Sequence, residues 1–318
     1  MPEPTLTELV GAFRAAADST RLRLLALVRD EGLAVSELVR ILGQSQPRVS
    51  RHLKLLAESG LVERQRDGAW VFYSLAADRD LGRRLIDLAP EADPALAEDQ
   101  ARLQALRAER RARAEEYFRA NAPEWDRQRA LPIDPLPIER QLLESLLPHA
   151  PKILVDIGTG TGRMLELLGP HVGQAIGIDA SRAMLDVARA KLEAAGLRHG
   201  RLRQGDMARL PLADESADLA TLHQVLHFAE RPAQVIAEAA RILKPGGRLA
   251  IIDLAPHAME ELRERHQHRR LGFPRETVEG WCRASGLEPY ETLLLPGQPL
   301  DVTLWLAAKL KYAKGSTP

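Results

Sequence analysis

The spacing of apolar positions changes along the chain, and each change marks a different kind of element. Leu22, Leu24, Leu25 and Val28, following Ser19 as a helix cap, place apolar side chains on one helical face. Residues 34–42 form a second, shorter helix that stops at Gly43, a residue suited to the left-handed conformation of a C-cap. A third helix begins after Ser45 with Pro47 in its first turn, where a missing amide hydrogen costs little. Val49, Leu53 and Leu56 line its inner face. Beyond Gly60 the run from Leu61 to Leu75 reads as two strands joined at Asp67-Gly68, a pair that tolerates positive φ in a hairpin turn. Leu81, Leu85 and Leu88 resume helical spacing until the Pro-containing stretch 89–94. Residues 96–118, free of Gly and Pro, then predict a long helix. Three prolines between Leu131 and Pro137 mark a hinge or boundary.

After residue 150, short apolar runs alternate with helical segments. The runs are Ile153–Ile157, Ala175–Ile178, one ending near Gln204, Asp218–Leu222 and Arg248–Asp253. Such alternation specifies a doubly wound sheet with its ligand at the carboxyl ends of the strands. The expected class is therefore α/β multidomain: a winged helix-turn-helix over 1–78, a helical linker or dimerisation segment over 79–135, and a Rossmann-like domain over 136–318. The linker has two readings, a solvated charged spacer or a helix whose Tyr117, Phe118 and Trp125 pack over the next domain as part of a lid.

Composition narrows the function. With 318 residues, 45% hydrophobic and 28% charged, the chain is long enough for two folded domains. Its formal charge is zero, so any nucleic-acid surface must be local. No apolar run approaches a membrane span, and residues 1–20 lack a signal-peptide core. With Cys282 the only cysteine, the expectation is a cytoplasmic protein without disulfides and without a multi-thiolate metal site. His223 with His227, and His266 with His268, have spacings that could hold a metal, but no third ligand is identifiable and no metal is expected.

Between residues 40 and 66, Arg40, Arg48, Arg51, Lys54, Arg64 and Arg66 face only Glu58 and Glu63, a local excess of four positive charges. A helix, a Gly-containing turn, a polar-faced helix and a basic hairpin occur in the order of a DNA-reading winged helix. Ala16-Ala17-Asp18-Ser19-Thr20-Arg21-Leu22-Arg23-Leu24-Leu25, the run Ser45-Gln46-Pro47-Arg48-Val49-Ser50-Arg51-His52-Leu53 and the wing resemble the ArsR/SmtB family of repressors. That resemblance implies a homodimer on a double-stranded DNA operator, with Ser45, Gln46, Ser50, Arg51 and His52 facing DNA. Arg48 and Lys54 flank them, and Arg64 and Arg66 on the wing are placed to reach phosphates. Where metal-sensing members carry Cys-Val-Cys this chain has Ala34-Val35-Ser36, so metal sensing at that site is not expected.

In the second domain, Asp156-Ile157-Gly158-Thr159-Gly160-Thr161-Gly162 is a glycine loop between strand and helix. An acid, Asp179, ends the next strand and is suited to ribose hydroxyls. With Asp179-Ala180-Ser181, Met184-Leu185, Gly205-Asp206-Met207 and Leu243-Lys244-Pro245-Gly246-Gly247, the series resembles class I S-adenosylmethionine-dependent methyltransferases. The resemblance implies seven strands with the last antiparallel, 287–295 and 301–308 being the final two. It assigns Gly158 and Gly160 to the methionine portion of the cofactor, Asp179 to ribose, and Asp206 with Met207 to adenine. Asp156, Thr159, Ala180, Met184 and His223 complete the expected S-adenosylmethionine or S-adenosylhomocysteine site. No catalytic residue is assigned; Tyr117, Trp125, His223, His227 and residues 266–270 are substrate-side candidates.

The two-domain pattern resembles a group of S-adenosylhomocysteine-responsive regulators of the methionine cycle. It implies a DNA-binding repressor that senses S-adenosylhomocysteine or S-adenosylmethionine. The alternatives are a working small-molecule methyltransferase carrying a DNA-binding module, or a winged helix used only for dimerisation.

Overall fold

The computed structural model describes residues 5–30, 32–76, 81–90, 93–125, 135–197 and 199–311, and of 135–137 the backbone alone. The chain divides into two compact units, Met1–Arg113 and Ala114–Pro318.

In the first unit, α1 (Leu6–Ala16) opens on a capping box between Thr5 and Glu8. The next helix, α2 (Ser19–Leu27), is capped by the Asp18 side chain, which accepts from Arg21 N at 3.1 Å. Ser19 is thus the first helical residue rather than the cap; the carboxylate one position earlier is the stronger acceptor for the exposed amides. The helix α3 (Val35–Leu42) ends at Gly43 with φ of 62°, and α4 (Gln46–Glu58) follows three residues later. Val49, Leu53 and Leu56 seal α4 against a core that includes Leu24, Leu38 and Ile41.

Two residues too short to read as an element, Leu33–Ala34 (β1), pair with the wing strand β3 (Trp70–Leu75), which also pairs with β2 (Val62–Asp67). The hairpin loop is Gly68-Ala69 rather than Asp67-Gly68, because Asp67 is paired with Trp70. Gly68 alone takes a positive φ there. After α5 (Leu81–Asp87), α6 runs Pro94–Asn121. Asp93 caps α6, accepting from the amides of Ala95 and Leu96 at 2.9 and 3.1 Å, and Pro94 fills the position where a donor is dispensable.

The second unit holds, among the described residues, a seven-stranded sheet. Its strands are β4 (Ile153–Ile157), β5 (Gln174–Asp179), β6 (Gly200–Gln204), β7 (Ala217–His223), β8 (Leu243–Leu254), β9 (Leu287–Leu295) and β10 (Val302–Lys309). They lie in the order β6-β5-β4-β7-β8-β10-β9, parallel except for β10, which is antiparallel to both neighbours as the resemblance implied. Strand alternation sorts the core into two layers. Leu249 and Ile251 of β8 and Trp305 of β10 face α10 (Pro232–Ile242) and α12 (Arg275–Ala284). Ala250, Ile252, Leu304 and Leu306 face α7 (Pro135–Leu146), α8 (Arg163–Leu168) and α9 (Arg182–Ala194). A last helix, α11 (Glu260–His266), precedes α12.

Two expectations change. Pro135 to Pro137 form the first turn of α7, where Pro is tolerated, while residues 131–134 of the expected hinge lie outside the described residues. The Lys244-Pro245-Gly246-Gly247 turn lies inside β8: Leu243 already pairs with Ala217, and the register slips before Arg248 meets Leu219. Among the described residues no helix is long and apolar enough to cross a membrane.

Candidate functional site

The reading helix presents the side chains its periodicity leaves over. Gln46, Arg48, Arg51 and Lys54 on α4 and Ser45 before it are exposed, as are Arg64 and Arg66, which share one face of β2 two residues apart. Ser50 is half-buried. His52 turns inward, its side chain 14% exposed and Nδ1 3.7 Å from Asp18 Oδ1. Lys54 pairs loosely with Glu58 across one helical turn at 3.8 Å.

Helix α6 is tied at four points to α2 and α3, the helices packed against α4. Arg23 of α2 grips Asp99 through two hydrogen bonds of 2.6 and 2.7 Å, and Asp99 is buried. Arg102 Nη1 donates to the carbonyl of Ile41 at 2.9 Å, supplying a cation to the C-terminus of α3. Arg40 pairs with Glu109 at 2.6 Å, and Arg110 pairs with Glu37.

In the second unit the glycine loop turns sharply after β4. Gly158, Gly160 and Gly162 have φ of 70°, 52° and 85°, values that penalise any side chain. A Cβ at Gly158 would stand 2.3 Å from Val225 Cγ2, so the residue must also be bare to let Val225 in. Most loop amides are already committed. Those of Gly158 and Thr159 both donate to Ile178 O at 2.7 and 2.9 Å, Gly162 N donates to Thr159 O at 2.8 Å, and Gly160 N donates to Asp179 Oδ2 at 2.8 Å. A loop so satisfied is a poor cradle for phosphate, which needs converging free amides. It suits a nucleoside ligand whose other end is not a pyrophosphate.

The remaining expected residues fall into separate roles. Asp156 is buried beneath the loop and accepts from Thr221 Oγ1 at 2.7 Å. Thr159 packs its side chain against the bare backbone of Gly177, and Met184 is buried on α9. Asp179 Oδ1 accepts from Ser181 N at 2.8 Å. Burial raises the Asp179 pKa above the usual carboxylate value, and hydrogen bonds from the amides of Ser181, Gly160 and Ala180 oppose the rise. Ala180 is exposed, and its carbonyl takes Gln204 Nε2 at 3.0 Å. Asp206 is exposed and fixes its own turn by accepting from Ala208 N at 2.8 Å; Met207 beside it is half-buried. His223 is half-buried at the carboxyl end of β7, opposite Ile252. Gly158, Gly160, Asp179 and His223 thus gather at one edge of the sheet, the edge at which open α/β sheets bind ligands.

Residues 18–64 match the model of the bacterial regulatory proteins of the arsR family, and residues 155–251 match that of a methyltransferase domain. The chain joins an arsR-type helix-turn-helix to a methyltransferase domain. The methyltransferase domain is 33% identical over 100 residues to the uncharacterized methyltransferase YcgJ of Bacillus subtilis, covering 31% of this chain and 40% of that protein. It is 32% identical over 164 residues to the malonyl-[acyl-carrier protein] O-methyltransferase of Methylococcus capsulatus, covering 47% and 58%. The chain thus spans less than two thirds of either relative. Its fold is also that of the N-methyltransferase NodS of Bradyrhizobium japonicum, a structure solved with S-adenosyl-L-homocysteine. That likeness has a TM-score of 0.52 and 22% identity, over 62% of this chain and 98% of that one.

Three further features of the methyltransferase domain bear on the site. Gln224, just past β7, takes a φ of 52° without being glycine and is held by a hydrogen bond from its amide to Ile252 O at 2.7 Å. Such a conformation costs of order 1–3 kcal/mol and is found where the surrounding structure enforces it. Trp125 lies beside the loop, its Nε1 3.6 Å from where a Cβ on Gly160 would be. Asp253, ending the apolar run of β8, is completely buried and bonded to His227. An acid closing a strand at the ligand edge was the available signal for it.

Proposed function

We propose that the protein is a transcriptional regulator that binds a double-stranded operator as a homodimer and senses S-adenosylhomocysteine or S-adenosylmethionine through its methyltransferase domain. The observation that carries this reading is the placement of α6. Its first part is tied by Asp99, Arg102, Glu109 and Arg110 to the helices that set the reading helix. Its last turn carries Tyr117 and Phe118, which meet Trp125 at the glycine loop, with ring centroids 6.3 and 5.4 Å from it. In this reading α6 is the element through which ligand binding would influence the helices that set the reading helix.

The residues present fit the ligand. The committed loop amides disfavour a dinucleotide, and in this reading the methionine-like chain lies along Gly158 and Gly160. In the same reading Asp179 takes the ribose hydroxyls, and Asp206 with Met207 the adenine amine and ring. When bound, S-adenosylmethionine supplies a sulfonium methyl group, and S-adenosylhomocysteine lacks it. Exposed Arg48, Arg51, Lys54, Arg64 and Arg66 supply the phosphate-facing charge.

Ligand regulates DNA binding only through different affinities for the DNA-competent and incompetent states; a tenfold change in occupancy needs about 1.4 kcal/mol. Titration of a mobility shift on the protein's own promoter, with each ligand in turn, tests this. An operator affinity that shifts at least tenfold at saturating ligand is expected, and equal affinities with and without ligand would overturn the sensor reading. A working methyltransferase is the second reading, favoured by the buried pair of His227 and Asp253.

A further inference from the structure

Beside the glycine loop, the carboxyl ends of β7 and β8 carry a second cluster. Asp253 is fully buried, and its carboxylate is fixed by three donors. Oδ1 accepts from His227 Nδ1 at 2.6 Å and from Leu254 N at 2.8 Å, and Oδ2 accepts from Leu226 N at 2.9 Å. A carboxylate only accepts, so the His227 proton sits on Nδ1 and Nε2 keeps a basic lone pair. The main chain at this position is held as well, the His227 carbonyl accepting from the amides of Arg269 and Arg270 at 2.9 and 3.1 Å. Among the described residues Nε2 has no hydrogen-bond partner. A base oriented by a buried acid, with its second nitrogen left over, is the arrangement of general-base catalysis.

The surroundings define what such a base would meet. His268 stacks on His227 at 4.1 Å with 26° between planes, and its buried Nδ1 has no partner among the described residues. Burial first, and then the neighbouring His227, His257, His266 and Arg263, push the His268 pKa far down and keep the ring neutral. A ligand hydroxyl would supply the hydrogen bond that this nitrogen lacks. From His268 a line of half-buried rings leads to the glycine loop. Phe228 lies 5.1 Å from His268, Phe118 5.0 Å from Phe228, and Trp125 5.4 Å from Phe118 and beside Gly160. In a chain only 4% aromatic, these rings are gathered between the ligand loop and the base.

We propose that this cluster is a methyl-acceptor site for flat aromatic hydroxyl compounds, with His227 as the general base; the proposal rests on S-adenosylmethionine occupying the glycine loop. Ring walls favour an aromatic acceptor by offset and edge-to-face packing. The acid strength of the hydroxyl points the same way, since an imidazole base is far better matched to a phenol, with pKa about 10, than to an aliphatic alcohol. As the phenol oxygen forms its bond to the methyl carbon, the sulfonium S–C bond breaks and its electron pair stays on sulfur. The hydroxyl proton passes to Nε2 of His227, leaving an imidazolium held by the Asp253 carboxylate.

The test uses the full chain saturated with S-adenosylhomocysteine, so that no turnover occurs, and 4-nitrophenol as the probe. The expected result is saturable quenching of tryptophan fluorescence together with a visible phenolate band at a pH where the free phenol is protonated. His227→Gln should bind the probe within about threefold and lose the band, and Asp253→Asn should weaken it. With labelled S-adenosylmethionine and the same phenol, His227→Gln should lower kcat about 100-fold or more with little change in KM. Calorimetry of S-adenosylhomocysteine on every variant separates the two ideas. Intact cofactor binding with no quenching and no band in the wild type, or a band that survives in His227→Gln, overturns the acceptor site alone. Absent cofactor binding overturns both. Should His227→Gln fail to fold, the wild-type band and Asp253→Asn still decide.

Discussion

Gly158→Ala tests the glycine loop most directly, because the structure separates its cost into two parts. The backbone there has φ of 70°, which an alanine adopts at a cost of roughly 1–2 kcal/mol. The new methyl would also stand 2.3 Å from Val225 Cγ2, and overpacking of a tight contact costs about 1–3 kcal/mol. The single variant should therefore lose about 2–5 kcal/mol. Val225→Ala alone removes two largely buried methyl groups, roughly 1–2 kcal/mol. In the double variant the added methyl would face only the Val225 Cβ position, 3.0 Å away, so the steric part is largely relieved while the backbone strain stays. Its loss should be about 2–4 kcal/mol, against roughly 3–7 for additive singles, a coupling of about 1–3 kcal/mol. Urea unfolding followed by tryptophan fluorescence is the assay, since Trp125, Trp281 and Trp305 all lie in the Ala114–Pro318 unit. Equal midpoints for Gly158→Ala and wild type, or a double variant whose loss equals the sum of the singles, would refute the wedge between loop and Val225.

Asp99→Asn breaks a buried pair whose arginine is partly exposed, and should destabilise the Met1–Arg113 unit by about 2–3 kcal/mol, read as a loss of amide-exchange protection in α2 and α6; wild-type protection would sink the bracing argument. Arg51→Ala should weaken DNA binding on every sequence and reduce the slope of log affinity against log salt by about one, while an unchanged slope would remove Arg51 from the phosphate contacts. Burial raises the pKa of Asp179, and a ribose hydroxyl needs the ionised carboxylate as its acceptor. S-adenosylhomocysteine affinity, measured by calorimetry, should therefore decline as pH falls through that raised value, beginning above the range of a free aspartate. The decline should vanish in Asp179→Asn, and the same pH profile in both proteins would exclude the assignment.

Most of the architecture was legible because it rests on local rules. Gly43 in a left-handed C-cap, Pro47 in a first turn and the alternating apolar runs of β4, β5, β7 and β8 each declare their conformation within a few residues. What escaped depended on competition or distance. Asp18 displaced Ser19 as a cap through the better acceptor, and β1 exists only because β3 offers it an edge. The four bracing contacts of α6 join residues 61 to 76 positions apart, and no spacing rule connects them. Among the site residues, the glycines and Asp179 were readable as a motif. The bond from His227 to Asp253 spans 26 positions, and each residue alone looks ordinary. The inward turn of His52 toward Asp18 was equally hidden, since helical periodicity leaves position 52 on the flank.

The committed amides of the glycine loop bear on time as well as on selectivity. A loop whose amides at Gly158, Thr159, Gly160 and Gly162 are already bonded keeps its shape with or without a guest. It has little ordering entropy to lose when a ligand arrives, unlike a flexible loop that must fold around its target. In the proposed regulator, how quickly the protein forgets a past ligand concentration would then be governed by the dissociation rate rather than by refolding of the loop.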